Sequence, residues 1–85
     1  MDVISVVRQF ITSELMRNDR AQLDDDAPLI ERGYLTSLQT IELVVFLEER
    51  FGVQIRPEEV NEVDFRSLRT IERLVRQKQG VAHVG

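Results

Sequence analysis

Residues 36–52, "TSLQTIELVVFLEERFG", constrain the fold of this chain more than any other segment. Thr36-Ser37-Leu38-Gln39 has the spacing of a capping box. The threonine oxygen can accept from the third helical amide, and Gln39 can reach back to the cap. No Gly or Pro follows until Gly52, which suits the left-handed residue that ends a helix. The spacing therefore predicts a helix that begins at Thr36 and stops after Phe51. Unrolled at about 100° per residue, it places Thr40, Leu43, Val44, Leu47 and Phe51 on one side. Leu38, Ile41 and Val45 fall nearly opposite, bordered by Glu42, Glu48 and Glu49. A chain of 85 residues has one modest core, and only one of these faces can look into it. The longer cluster, ending in Phe51, is assigned inward. The other is then a partly exposed apolar stripe rimmed by carboxylates, a docking surface whose apolar contacts give affinity and whose acids steer a basic partner. The alternative is a central helix buried on both sides; the bordering glutamates weigh against it.

Around this helix the chain reads as a small all-α bundle of three main helices and one short one, with a long loop between the first two. Val3, Ile4, Val7, Phe10, Ile11 and Leu15 have helical spacing, which predicts a first helix over about residues 2–17. Residues 18–36 break the pattern. They are polar up to Pro28, then carry Leu29, Ile30 and Leu35 around Gly33, residues expected to pin the loop across the core. Asp24, Asp25 and Asp26 lack the ligand spacing and glycine turn of a cation loop and are expected to be solvated. Pro57 opens a short third helix, "PEEV". Ser67 caps the fourth, with Leu68, Ile71, Leu74 and Val75 as its apolar stripe and an expected end near Lys78. Residues 79–85 are expected to be a flexible tail. No segment shows sustained alternation of the strand type.

Several function classes drop out on composition. There is no cysteine, so disulfides, cysteine-ligated metal and a cysteine nucleophile are excluded, and any thiol chemistry must use a thiol supplied from outside. The one histidine, His83, lies in the tail and is expected to be solvated. No Gly-rich phosphate loop or metal-ligand cluster is present, so catalysis is not expected. Apolar runs are far too short to cross a bilayer, and the first residues lack the pattern of a secretory signal. A cytoplasmic monomer without membrane contact is the expectation. Net charge is −4, with the signs segregated: Glu42 to Asp64 holds seven acids and two bases, and Phe65 onward holds five bases and one acid. The acidic middle argues against nucleic acid and for partners with basic surfaces.

Ser37 stands at the start of the exposed stripe, in the first helical turn, where free amides and the helix dipole favour an anion. A phosphate esterified there would meet a favourable field. "LIERGYLTSLQTIELVVFLEERFGVQI" resembles the acyl and peptidyl carrier proteins of fatty-acid, polyketide and nonribosomal-peptide synthesis, in which an Asp-Ser-Leu motif starts the second helix. "DFRSLRTIERLV" is similar to the family's run into its last helix. The resemblance covers nearly the whole chain, so residues 1–78 are identified as a carrier domain.

The resemblance implies that Ser37 receives 4′-phosphopantetheine from coenzyme A through a phosphopantetheinyl transferase. The arm's thiol would carry an acyl or aminoacyl group as a thioester between loading and downstream biosynthetic enzymes. That would account for the absence of cysteine. It further implies that Leu38, Ile41, Glu42, Val45, Glu48 and Glu49 form the partner-recognition helix, and that catalysis belongs to the partners. The chain departs from the family at Thr36, where Asp is usual. Threonine can cap the helix but cannot offer a carboxylate to the transferase's basic groups or metal site. This implies a cost in modification or a restricted choice of transferase. The competing reading is a carrier-like adaptor that is never modified and only binds proteins through its second helix.

Overall fold

A computed structural model describes residues 2–18, 20 and 22–84, with the side chains of 81–84 excepted. Among the described residues the fold is all-helical. Helix α1 spans Val3–Phe10 and runs directly into a wider π-helical turn, Ile11–Leu15. The widening has a local cause. Thr12 is buried, and its hydroxyl donates to the carbonyls of Arg8 at 3.0 Å and Gln9 at 3.3 Å. A hydroxyl bonded back four residues competes with the helical ladder and loosens it. The Met16 amide then reaches the Ile11 carbonyl at 2.8 Å, the five-residue reach of a π turn. Arg17, at φ 54°, turns the chain out of the helix.

Helix α2 spans Ser37–Phe51, as its capping box and Gly52 predict. Gly52 sits in the left-handed region at φ 65°. A single turn of 3₁₀ helix follows at Pro57–Glu59, tighter and shorter than the expected "PEEV" helix. Helix α3 spans Leu68–Val84. It continues through Gly80 to Val84 instead of stopping near Lys78, because a glycine at helical dihedrals costs only about 1 kcal/mol and no proline follows it. The His83 side chain lies outside the described residues.

The core joins Val3, Ile4, Val7 and Ile11 of the first helical arm to Leu43 and Leu47 of α2 and to Leu68, Ile71, Leu74 and Val75 of α3. The long connection supplies three more buried side chains, Leu23, Leu29 and Leu35. Each stabilises the fold by about 1.5–3 kcal/mol, so this stretch is a packed part of the domain despite having no regular helix. Its backbone is also bonded to the start of α3. The Leu29 amide donates to the Arg66 carbonyl at 2.7 Å, and the Arg69 amide donates to the Asp25 carbonyl at 3.0 Å. Gly33, at φ 76°, makes the tight turn that brings the Tyr34 amide back to the Leu29 carbonyl at 2.8 Å. The radius of gyration, 12.2 Å, matches the ~12 Å of a folded chain this long.

The aspartates of the loop are engaged and not merely solvated. Asp25 pairs with Arg8 of α1 and lies 3.7 Å from Arg69, while Asp26 accepts from Arg69 at 2.8 Å. Their spacing in sequence hides this because both cations arrive from other elements. No described helix is long and apolar enough to cross a membrane.

Candidate functional site at the start of helix α2

Ser37 is the first residue of α2 and is exposed. Among the described residues its hydroxyl has no hydrogen-bond partner, so it is not held in the protein's own network. The turn beneath it is rigidly built. Thr36 Oγ1 accepts the Gln39 amide at 3.1 Å, and Gln39 Oε1 accepts the Thr36 amide at 3.1 Å. The other end of the Gln39 amide group donates to the Leu15 carbonyl at 3.3 Å, tying the start of α2 to the π turn. The buried Thr40 hydroxyl donates to the Thr36 carbonyl at 2.9 Å. The capping-box spacing identifies the cap, but the link to Leu15 crosses from another element and leaves no mark in the local sequence. The amides of Ser37 and Leu38 precede the first helical bond, which runs from the Thr40 amide to the Thr36 carbonyl, so the helix presents free donors where Ser37 stands.

A hollow of about 300 Å³ opens beside Ser37. Thr36, Ser37, Thr40 and Ile41 form one wall, Ile30 of the long loop another, and Val60, Asn61 and Glu62 the third. There is space here for a group on the serine oxygen, and no hydrogen-bonded base to activate that oxygen. Among the described residues no group of acids or histidines is placed to hold a metal.

The two faces of α2 separate as expected. Thr40, Leu43 and Leu47 are buried, with Val44 and Phe51 half-buried. Opposite them Leu38, Ile41 and Val45 are 67%, 56% and 49% exposed. Glu42 and Glu49 flank this stripe in solvent. Glu48 is only half-buried at its edge, and its Oε2 accepts the Ile55 amide at 3.0 Å, so it also braces the turn that leaves α2. Phe46 faces neither way. It stacks on Phe10 of α1 with centroids 4.0 Å apart, an anchor that the two-face pattern of α2 does not reveal.

A family model for the phosphopantetheine attachment site matches residues 5–76. The chain belongs to this family. The match begins within α1 and ends within α3, so it spans the long loop, α2 and Ser37. Members bear a covalently attached 4′-phosphopantetheine, and the chain is in that sense a phosphopantetheine carrier domain. No curated protein matches it. Among solved structures, a chain in "Crystal structure of FAD-dependent dehydrogenase" is 32% identical to this carrier with a TM-score of 0.74. The match covers 81% of this chain and 97% of that one.

Proposed function

We propose that Ser37 is the attachment residue and that this carrier holds acyl or aminoacyl groups for enzymes that dock on the exposed face of α2. The observation that supports it best is the Ser37 hydroxyl itself, exposed, without a partner, and set over a hollow at the amino end of a capped helix. When attached, 4′-phosphopantetheine from coenzyme A supplies the thiol that a chain without cysteine lacks, and cargo rides on it as a thioester. The residues of the chain do the rest. Thr36 and Gln39 hold the first turn in place, the free amides of Ser37 and Leu38 favour an anionic phosphodiester, and Leu38, Ile41 and Val45 with Glu42 and Glu49 receive the partner.

The matched solved chain suggests one class of partner. It is nearly coextensive with this carrier, and a helical chain of that size is too small to enclose a flavin and a substrate in its own core. We infer that a flavin-dependent dehydrogenase is among the enzymes that act on the cargo.

Intact-mass measurement after incubation with coenzyme A and a broad-range phosphopantetheinyl transferase should show one phosphopantetheine added, and none on Ser37→Ala. Modification that persists in Ser37→Ala moves the site elsewhere. A parent chain that accepts no arm from any transferase, yet still binds biosynthetic enzymes through α2, is the unmodified adaptor instead.

A further inference from the structure

Val63 is 76% exposed, more than Leu38, Ile41 or Val45. Its position is built. Asn61 Oδ1 accepts the amides of Val63 at 2.9 Å and Asp64 at 2.8 Å, and Asn61 Nδ2 donates to the Glu58 carbonyl and to Asp64 Oδ2, both at 2.9 Å. Phe65, fully buried, anchors the far end, and its amide donates to the Asn61 carbonyl at 3.1 Å. One exposed valine alone means little. Here, however, the three residues just before it line the hollow that contains Ser37.

The charges add a second observation. The cations of the last third of the chain are largely taken up within the molecule: Arg66 by Glu31, Arg69 by Asp25 and Asp26, Arg76 by Glu72, and Lys78 by Glu59. Among the described residues Glu42, Glu49, Glu58 and Glu62 have no ion-pair partner. Of these, Glu42 and Glu49 stand on the outer face of α2, and Glu58 and Glu62 on the segment that runs into the Val63 turn.

We propose that Val63 is a second apolar foothold for the phosphopantetheinyl transferase, seated in an apolar recess of that enzyme bordered by Lys or Arg. The proposal rests on Ser37 being the attachment residue. An enzyme that reaches the Ser37 hydroxyl must cover the hollow, and so must cover its 60–62 wall and the residue beside it. The α2 stripe alone would leave the carrier free to pivot about one helix. A contact on a separate, rigid turn across the hollow fixes the approach, and the unpaired glutamates of both elements match a cationic rim.

The test measures initial rates of modification of the full chain with coenzyme A and a broad-range transferase. Val63→Ala should lower kcat/KM about fivefold or more, the loss of a contact residue of consequence, and Val63→Asp should lower it further. Neither should shift the thermal midpoint, because the side chain is solvated. Val63→Leu should retain the parent rate. Glu62→Lys should slow modification at low salt, with the deficit shrinking as salt is added. If Val63→Ala and Val63→Asp run at the parent rate while Val45→Asp is slowed, the foothold does not exist and the Ser37 reading stands. If Val63→Asp lowers the thermal midpoint as far as Leu47→Asp does, Val63 is structural and the foothold is again overturned. Arm transfer that survives Ser37→Ala overturns the Ser37 reading and the foothold with it.

Discussion

Thr36 carries two demands at once, and threonine meets only one of them. Its oxygen caps α2 through the Gln39 amide, so Thr36→Ala should lose about 0.5–2 kcal/mol in chemical denaturation. Thr36→Asp should keep the cap and speed arm transfer, because it restores the carboxylate that family members usually present. If Thr36→Asp slows every transferase tested, the threonine suits a particular partner and the missing carboxylate is not a defect. Gly52 is the matching residue at the other end. At φ 65° it holds a conformation that costs a side-chain-bearing residue about 1–2 kcal/mol. Gly52→Ala should destabilise by that amount even though a Cβ there would meet no atom. Space does not rescue the substitution because the cost lies in the dihedrals.

At the scale of the element, α2 is the helix whose two sides can be told apart by experiment. Leu47→Asp puts a charge among fully buried side chains and should cost about 4 kcal/mol or more, enough to unfold a small domain. Val45→Asp puts the same charge on the exposed stripe. It should leave the thermal midpoint nearly unchanged while slowing modification of Ser37; equal collapse of both would mean the helix is buried all round. This element was legible in sequence because its cap, its glycine stop and both faces are written within a few residues of one another. Elsewhere the decisive partners are distant. The π turn depends on a buried Thr12 hydroxyl, Asp25 and Asp26 find Arg8 and Arg69 only after folding, and Val63 is set outward by Asn61 within a stretch that has no period. The end of α3 departs from the expected Lys78 for a different reason: Gly80 reads as a stop but lies inside the helix. The site divides the same way. The exposed serine and its stripe follow from helical periodicity, whereas the walls of the hollow come from Ile30 and Val60–Glu62, brought in by tertiary packing.

Across the whole molecule, charge pairing staples the long loop and the 3₁₀ turn to α3. Arg69, by its hydrogen bond and its charge, holds Asp26 below the usual carboxylate range, and Lys78, with the Arg56 amide, does the same for Glu59. A carboxyl whose pKa is lower folded than unfolded contributes stability above its unfolded value and loses it as pH falls through the folded one. Thermal midpoints should therefore be flat near neutrality and fall on the acid side, below the ordinary carboxylate range. Asp26→Asn should flatten part of that fall. A parent chain whose midpoint is level through this range, or an Asp26→Asn variant that follows it unchanged, would show the pairs to be inert. The bonds from Leu29 to Arg66 and from Arg69 to Asp25 carry a consequence for timing. The residues that lock the loop lie after Ser37 and after the loop itself in the order of synthesis. The hollow's loop wall can settle only once the α3 segment is present, so a released fragment ending before residue 65 should be a poor substrate for arm transfer.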